Sequence, residues 1–242
     1  MTSLASRLRS ARLYLCTDAR ERQGDLGDFL REAFAGGVDV VQIRQKDMDR
    51  DAELAALEVA RSVATASRTG APPIVCVNDS PRIAQAFAAD MLHLGQTDGS
   101  AHRARRRLHE WALVGRSTHT PEQADEALAD PDVSYFAVGP VHATPTKPDY
   151  VPVGLDLVRH AARIAPVGDV TSEPWFAIGG LHLGNLDEVV EAGARRVVVV
   201  RAITEASDPR AAARALSDRL GQAWADDPAL ASYALRSASL GL

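Results

Sequence analysis

The sequence predicts a single (β/α)8 TIM barrel, and three observations support that fold class. Eight short runs rich in β-branched residues recur, amphipathic Ala-rich stretches separate them, and no low-complexity linker interrupts the series. Strands of a parallel sheet have this composition because helices bury both of its faces. Eight repeats favour a closed barrel over a doubly wound sheet, which usually needs fewer strands and a topological switch.

The eight runs are the predicted strands, and most of them end in polar or glycine residues. They occupy residues 12–18, 39–45, 73–79, 91–96, 111–118, 135–141, 175–180 and 197–203. The chain of 242 residues is long enough for one barrel or for two smaller domains. The strand count decides for one barrel over residues 1–225, and residues 226–242, which lack clear periodicity, are predicted as a C-terminal tail of unknown role.

Capping signals mark where the intervening helices begin. Each combines a side chain that accepts a hydrogen bond with a proline or an acidic or amide residue shortly after it. They are Thr120 before Pro121, Ser80 before Pro81, Asp208 before Pro209, and a box opening at Asn185. Within residues 51–69, one helical stripe should face the barrel, formed by Leu54, Leu57, Ala60 and Ala64.

Composition and charge exclude several classes of protein. The chain is 46% hydrophobic and 24% charged, which argues against disorder and against a disulfide scaffold. With 27 basic and 32 acidic residues the net charge is −5, so no general basic field favours a nucleic acid or a membrane surface. No apolar run is long enough to span a bilayer, and Cys16 and Cys76 lie in apolar runs as expected for buried thiols. We therefore expect a cytoplasmic, soluble protein.

Catalytic groups of a barrel lie where the strands end, and the second and third predicted strands end in polar residues. Alternation along residues 42–46 places Gln42, Arg44 and Lys46 on one side of an extended segment, where the two cations could bind an anion or form a surface ion-pair ladder. Asp79 ends the third strand and Asp98 follows the fourth. Two carboxylates on adjacent strands suit Mg²⁺, although Asp79 could instead cap the helix that begins at Pro81.

The loops after strands six to eight contain two candidate phosphate-binding segments. Residues 139–148 combine prolines, two threonines and Lys147, and they could bind a phosphate or form a turn whose threonines satisfy the local backbone. Gly179 and Gly180 end the seventh strand, where barrels often bind phosphate. Arg201, after the eighth, could contact that phosphate or close the rim in a salt bridge.

No serine, histidine and aspartate triad is evident, and the seven histidines show no metal-ligand spacing. His93, His119 and His142 are interpreted as structural or peripheral. The site is therefore expected to combine one carboxylate pair, several cations and two phosphate-binding segments, which would suit two phosphorylated substrates.

At these residues the sequence resembles the thiamine phosphate synthase (thiamine-phosphate pyrophosphorylase) family over about residues 12–220. Any one motif is weak, but their order at the ends of successive strands is specific. The motifs occupy residues 42–46, 78–79, 93–98, 115–117, 139–147, 177–180 and 200–201.

The resemblance implies a transferase that joins hydroxymethylpyrimidine diphosphate to a thiazole phosphate with Mg²⁺ and releases pyrophosphate. It implies that Asp79 and Asp98 bind the metal. Catalysis would fall to Arg44, Lys46, Ser117 and Lys147. The pyrimidine diphosphate would contact Gln42, Ile43, Arg44, Gln45, Lys46, Asn78, Ser117 and Lys147. The thiazole phosphate would contact Thr144, Pro145, Thr146, Gly180, Val200 and Arg201.

Two alternatives remain at this point. A thiazole tautomerase on the same fold would use only the thiazole phosphate and should lack the diphosphate and metal groups, whereas this chain has them. A non-catalytic barrel that binds thiamine phosphates is the other. The expected partners are small phosphorylated molecules, and a homo-oligomer is possible. The family commonly has serine where this chain has Arg201. The resemblance therefore implies a backbone N–H contact at this position but not a hydroxyl contact.

Overall fold

Eight parallel strands form a closed ring in chain order in the computed structural model, which describes residues 3–67, 71–145, 151–231 and 233. The predicted fold class is confirmed, and each predicted run contains one strand. The strands are β1 (Leu13–Thr17), β2 (Val40–Ile43), β3 (Ile74–Asn78), β4 (Met91–Leu94), β5 (Leu113–Thr118), β6 (Tyr135–Val138), β7 (Trp175–Ile178) and β8 (Val197–Val199).

Helices connect the strands and cover the outside of the ring. They are α1 (Leu4–Ser10), α2 (Leu26–Ala35), α3 (Arg50–Ala66), α4 (Pro81–Phe87), α5 (Ala101–Arg105), α6 (Pro121–Ala129), α7 (Gly154–Ile164), α8 (Leu186–Glu191), α9 (Arg201–Thr204) and α10 (Pro209–Ala225). Short 3₁₀ turns cover Leu183–Asn185 and Pro228–Leu230. Of the helices described, none is both long and apolar enough to cross a membrane.

Side chains alternate between two cores along each strand, because successive residues of a strand point to opposite faces. On β1, Leu13 and Leu15 pack outward among the helices, whereas Tyr14 and Cys16 point into the barrel. The ring closes where β1 pairs with β8, with Leu13 opposite Val197. Cys16 and Cys76 are both buried free thiols in the interior cluster.

All four predicted helix starts are confirmed, but a side-chain cap is present at only three of them. Ser80, Thr120 and Asp208 each cap a helix through a side-chain oxygen that accepts a backbone N–H. Asn185 was expected to cap α8 in this way, and that expectation is wrong. Its side chain instead accepts from the backbone N–H of His182, which opens the capping box of the preceding 3₁₀ turn.

The predicted stripe of α3 faces the barrel. Leu57, Ala60 and Ala64 are buried, and the partly buried Leu54 packs against the same core. This stripe follows from helical periodicity alone.

Helix α1 covers the amino-terminal end of the barrel, a feature that the sequence did not indicate. Leu8 and Ala11 belong to the same buried cluster as Tyr14 inside the ring. Ser3 caps the helix by accepting the N–H of Ser6. The helix therefore closes the end of the barrel opposite the strand carboxyl ends.

Part of the segment after residue 225 packs against the barrel. Leu230 and Tyr233 are buried beside Val170. The Tyr233 hydroxyl accepts a hydrogen bond from the buried Arg196 guanidinium, whose Nη2 also donates to the Arg9 carbonyl at 2.7 Å. The domain boundary at residue 225 stays a prediction.

Candidate active site

A cavity of about 470 Å³ opens at the carboxyl end of the barrel, and every strand or the loop after it contributes to the wall. The closed ring produces this convergence, because all eight parallel strands end at the same face. Polar and apolar side chains share the wall, from Cys16 on β1 to Arg201 after β8. Most of the residues that the sequence singled out lie here.

The end of β2 contributes one buried amide and two cations. Gln42, Arg44 and Lys46 all line the cavity, as their alternation along the chain requires. The Gln42 amide is buried and donates from Nε2 to Oδ1 of Asn78 at 3.1 Å. Neither cation forms a salt bridge with a described carboxylate, so an ion-pair ladder has no partners among the described residues.

Ile43 and Gln45, which alternate with Gln42, Arg44 and Lys46 along the chain, point away from the cavity. Ile43 is buried in the core between strands and helices. Gln45 Oε1 accepts from the Ala19 N–H at 3.2 Å, and its Nε2 donates to Glu21 at 2.6 Å, which ties the β1 loop to the β2 loop. Neither residue lines the cavity, and their contact with a diphosphate stays a prediction.

Asp79 and Asp98 lie side by side in the cavity wall. The pKa of Asp79 is raised from 3.8 to about 6, first by burial and then by the neighbouring Asp98 carboxyl, which is both a hydrogen-bond partner and a like charge. Asn78 and Arg44 oppose this rise. Asp98 Oδ2 accepts from the Gly95 N–H at 2.7 Å, which holds this carboxylate. Two carboxylates are thus held close together where their charges repel each other.

The alternative role of Asp79 as a helix cap does not fit the structure. Ser80 occupies the cap position of α4, and its hydroxyl accepts the N–H of Ile83 at 3.3 Å. The Asp79 backbone is in the left-handed region, with φ at +58°, and its side chain lines the cavity. The carboxylate of Asp79 therefore faces the cavity and not the start of the helix.

This donor set fits Mg²⁺. In proteins Mg²⁺ is usually bound by one or two carboxylates, by waters and by substrate phosphates, whereas zinc and calcium sites need more protein ligands. Among the described residues, no group of three or more histidine, cysteine, aspartate or glutamate side chains could hold a metal ion. A cation between Asp79 and Asp98 would also relieve the repulsion between the two carboxylates.

Two of the histidines interpreted as structural or peripheral lie in the cavity wall. His93 and His119 both line the cavity. His93 Nε2 lies 2.9 Å from Oγ of Ser117, and its Nδ1 lies 2.9 Å from the Tyr135 hydroxyl. The partners are 24 and 42 residues away in the chain, so no local pattern could reveal them. His142 lies outside the cavity and contacts Glu188.

The loops after β6 and β7 pack against each other beside the cavity. Val141 and His142 donate their N–H groups to the carbonyls of Ile178 and Gly179 at 2.8 and 3.0 Å. Gly180 has φ at +64°, and a Cβ there would lie 2.8 Å from the Cβ of His142. These glycines therefore permit the two loops to approach each other closely.

Only some of the residues predicted to contact the thiazole phosphate line the cavity. Thr144, Gly180, Val200 and Arg201 line the cavity, whereas Pro145 does not. Thr146 and Lys147 lie outside the described residues. Arg201 is exposed and makes no salt bridge with a described carboxylate, which leaves the rim-closing salt bridge without a partner among these residues.

Comparison with known proteins decides the family. A family model described as "Thiamine monophosphate synthase" matches residues 13–203, which span all eight strands and the cavity. The chain belongs to this family.

Relatives of the family are similar along nearly their whole length. The chain is 54% identical over 217 residues to the "Thiamine-phosphate synthase" of Streptomyces avermitilis, covering 90% of this chain and 97% of the relative. It is 54% identical over 218 residues to the "Thiamine-phosphate synthase" of Thermobifida fusca, with 90% and 96% covered.

Among solved structures, the thiamine phosphate pyrophosphorylase of Pyrococcus furiosus superposes with a TM-score of 0.75 at 26% identity, covering 91% of this chain and 99% of that one. The chain is therefore similar to these proteins in both sequence and fold.

Proposed function

We propose that this protein is a transferase that condenses 4-amino-2-methyl-5-hydroxymethylpyrimidine diphosphate with a thiazole phosphate. The products are thiamine phosphate and pyrophosphate. One observation carries the proposal: a paired carboxylate site and two cations, Arg44 and Lys46, line one cavity in a chain of the thiamine monophosphate synthase family. The relatives' printed names support the same reaction.

The pyrimidine diphosphate would bind on the side of the cavity formed by β2 to β5. Gln42 and Asn78 share a hydrogen bond and present neutral polar groups, whereas Arg44 and Lys46 provide positive charge. Ser117 would donate its hydroxyl to a phosphate oxygen. Lys147 would complete the set of cations on the leaving group. These charges would be in place before the bond breaks, which is why they lower the barrier.

Asp79 and Asp98 would hold Mg²⁺. The bound cation would neutralise charge that accumulates on the leaving pyrophosphate. Asp98 is fixed by the Gly95 N–H and Asp79 by the backbone at the end of β3, so the pair needs little rearrangement to bind. The thiazole phosphate would bind beside β6 to β8, through Thr144, Pro145, Thr146, Gly180, Val200 and Arg201.

The arrangement supports a dissociative displacement. The bond between the pyrimidine methylene carbon and the diphosphate oxygen breaks first, and the electron pair leaves with pyrophosphate. The thiazole nitrogen then donates its lone pair to the pyrimidine methyl cation, which gives the thiazolium product. No protein nucleophile takes part, and walls that exclude water would protect the cation.

In this proposal the partners are small phosphorylated molecules, and the reaction takes place in the cytoplasm. The acidic net charge of the chain argues against nucleic acid as a partner. The cavity has the size range of a small-molecule site.

The test is a two-substrate assay of the purified protein with Mg²⁺. We expect pyrophosphate and thiamine phosphate to form in equal amounts, and to require both substrates. Asp98→Asn should fold and should lose most activity at low Mg²⁺. A folded wild-type protein that forms no thiamine phosphate would contradict the proposal. Isomerisation of a carboxylated thiazole phosphate without the pyrimidine would point instead to a tautomerase.

A further inference from the structure

Three side chains form a continuous hydrogen-bonded row from the cavity into the barrel. Ser117 Oγ contacts His93 Nε2, and His93 Nδ1 contacts the hydroxyl of Tyr135, both at 2.9 Å. Ser117 and His93 line the cavity, whereas Tyr135 is fully buried beneath it. The proposed reaction uses Ser117 but gives His93 and Tyr135 no part.

The barrel makes room for Tyr135 to reach His93. Gly115 on β5 lies between them, paired with His93 on β4 and with Tyr135 on β6. A Cβ on Gly115 would lie 2.0 Å from Cζ of the Tyr135 ring and 2.4 Å from its hydroxyl oxygen. The Tyr135 ring therefore lies over Gly115 on the inner face of β5, in space that any other side chain would fill, and its hydroxyl reaches His93 on β4.

The direction of the two hydrogen bonds follows from the acceptors that Tyr135 can reach. His93 Nδ1 is the acceptor within 2.9 Å, whereas Cys76 Sγ is 3.8 Å away and sulfur is a weak acceptor. The Tyr14 hydroxyl also faces Tyr135, and it lowers the pKa of Tyr135 as a donor to that hydroxyl does. Burial keeps the pKa of Tyr135 well above its usual value, so the group remains a hydroxyl. When Tyr135 donates to Nδ1, the hydrogen of a neutral His93 must be on Nε2.

We propose that Tyr135 is a positioning residue that holds His93 in its Nε2–H tautomer. His93 then donates to Ser117 Oγ, so that the hydrogen of Ser117 is free to point into the cavity. There it is donated to a phosphate oxygen of the diphosphate substrate, a part of the inference that rests on the proposed function. With the opposite tautomer, Ser117 would donate to His93 and could only accept from a ligand.

The first experiment reads the tautomer directly, without substrate. Long-range proton–nitrogen NMR of the full chain labelled with nitrogen-15 in histidine distinguishes protonated from unprotonated ring nitrogens, and His93→Gln assigns the signals. We expect His93 to be protonated at Nε2 alone at neutral pH. Protonation at Nδ1, or at both nitrogens, would overturn the proposal.

The second experiment removes one hydroxyl at a time. Tyr135→Phe should give His93 a mixed tautomer and lower kcat/KM for the pyrimidine diphosphate about tenfold, with KM for the thiazole phosphate unchanged. Tyr14→Phe is the matched control, because Tyr14 is buried in the same cluster and its hydroxyl faces Cys76 and Tyr135 rather than His93. The control should keep both the tautomer and kcat/KM. Equal losses in the two variants would overturn the proposal.

A double variant tests whether Tyr135 acts through Ser117. Tyr135→Phe should have no further effect on kcat/KM when Ser117→Ala is already present, because the hydroxyl that it orients is gone. Independent, multiplying losses would overturn the proposal. If the wild-type protein has no transferase activity, the proposed function fails while the tautomer measurement still decides the positioning of His93.

Discussion

At the scale of single residues, Asp79 combines an unfavourable charge with an unfavourable backbone conformation. Its pKa is raised to about 6 by burial and by Asp98, and its φ is +58°. Residues held in such conformations are concentrated at functional sites, where the surrounding structure stabilises them. Both features agree with the proposed role of Asp79 as a ligand of Mg²⁺.

This pKa makes the stability of the metal-free protein depend on pH. Because the folded pKa of about 6 exceeds the ordinary 3.8, the stabilising contribution is complete below about pH 3.8 and is lost as pH rises through about 6. After allowance for solvent screening, the loss is on the order of 1 kcal/mol. Asp79→Asn should remove it and so raise metal-free stability at pH 8, as measured by urea unfolding with a chelator.

Asp47 provides the matched control for that experiment. It is also an aspartate at positive φ, +57°, but it is exposed and lies outside the cavity. Asp47→Asn should leave the pH dependence of unfolding unchanged, and Mg²⁺ should stabilise it as it does the wild type. If both variants show the same pH dependence, the pair of Asp79 and Asp98 is not its source.

Arg201 is predicted to contact the thiazole phosphate. Arg201 lines the cavity and makes no salt bridge with a described carboxylate. Its positive charge can therefore pair with a phosphate bound in the cavity. Arg201→Ser should raise KM for the thiazole phosphate about tenfold, which corresponds to about 1.4 kcal/mol. Arg31→Ser, on the exposed face of α2, controls for the loss of one positive charge. An unchanged KM in Arg201→Ser would show that this arginine is structural.

At the scale of elements, the predictable part of the fold was the set of buried strands. Each is a short, mostly apolar run between amphipathic helices, and most contain Val or Ile, so composition and spacing together identify them. Helix α1 escaped prediction because its apolar face is short and its sequence includes Arg7 and Arg9. Its burial depends on the open end of a barrel that only the complete ring creates.

The contact between the loops after β6 and β7 depends on Gly180. In Gly180→Ala, the new Cβ would meet His142 and the Ala143 carbonyl, in a left-handed conformation that alone costs about 1–2 kcal/mol. Crowding should add about 1–3 kcal/mol to the loss in the free energy of unfolding, measured in urea. Binding of the thiazole phosphate should weaken as well.

Gly24→Ala is a control that separates the cost of the left-handed backbone conformation from the cost of crowding by neighbouring atoms. Its φ of +67° matches that of Gly180, but nothing lies within 4 Å of a Cβ placed there. Gly24→Ala should therefore show the conformational cost alone and leave substrate binding unchanged. Equal destabilisation in the two variants would mean that contact with His142 is unimportant.

At the scale of the whole molecule, the sequence located most of the site but not its internal connections. Alternation along the end of β2 and the residues after it selected Gln42, Arg44 and Lys46, because side chains of an extended segment point alternately to its two sides. The pair of Asp79 and Asp98 followed from their positions at the ends of two adjacent strands. The row that joins Ser117, His93 and Tyr135 could not be predicted, since it needs the register of three strands and the empty position at Gly115.

The base of the barrel is predicted to support stability without affecting catalysis. Tyr233 is buried and accepts a hydrogen bond from Arg196 at 3.2 Å. Tyr233→Phe should lower the free energy of unfolding by about 1 kcal/mol, and Tyr233→Ala by about 3–5 kcal/mol. KM for both substrates should stay unchanged, because the cavity is at the other end of the barrel.

Trp111 is the control for removal of an aromatic ring. It is 72% exposed just before β5, at the same end of the barrel. Trp111→Ala should change stability by less than about 0.5 kcal/mol in the same unfolding experiment. A comparable loss in Trp111→Ala and Tyr233→Ala would contradict a specific role for the Arg196 contacts.

The guanidinium of Arg196 also brings distant parts of the chain together. One nitrogen, Nη2, reaches the Arg9 carbonyl at 2.7 Å and the Tyr233 hydroxyl at 3.2 Å, so those two oxygens lie within about 6 Å of each other. The guanidinium thus acts as a non-covalent cross-link between α1 and the segment around Tyr233, which lie far apart in the chain.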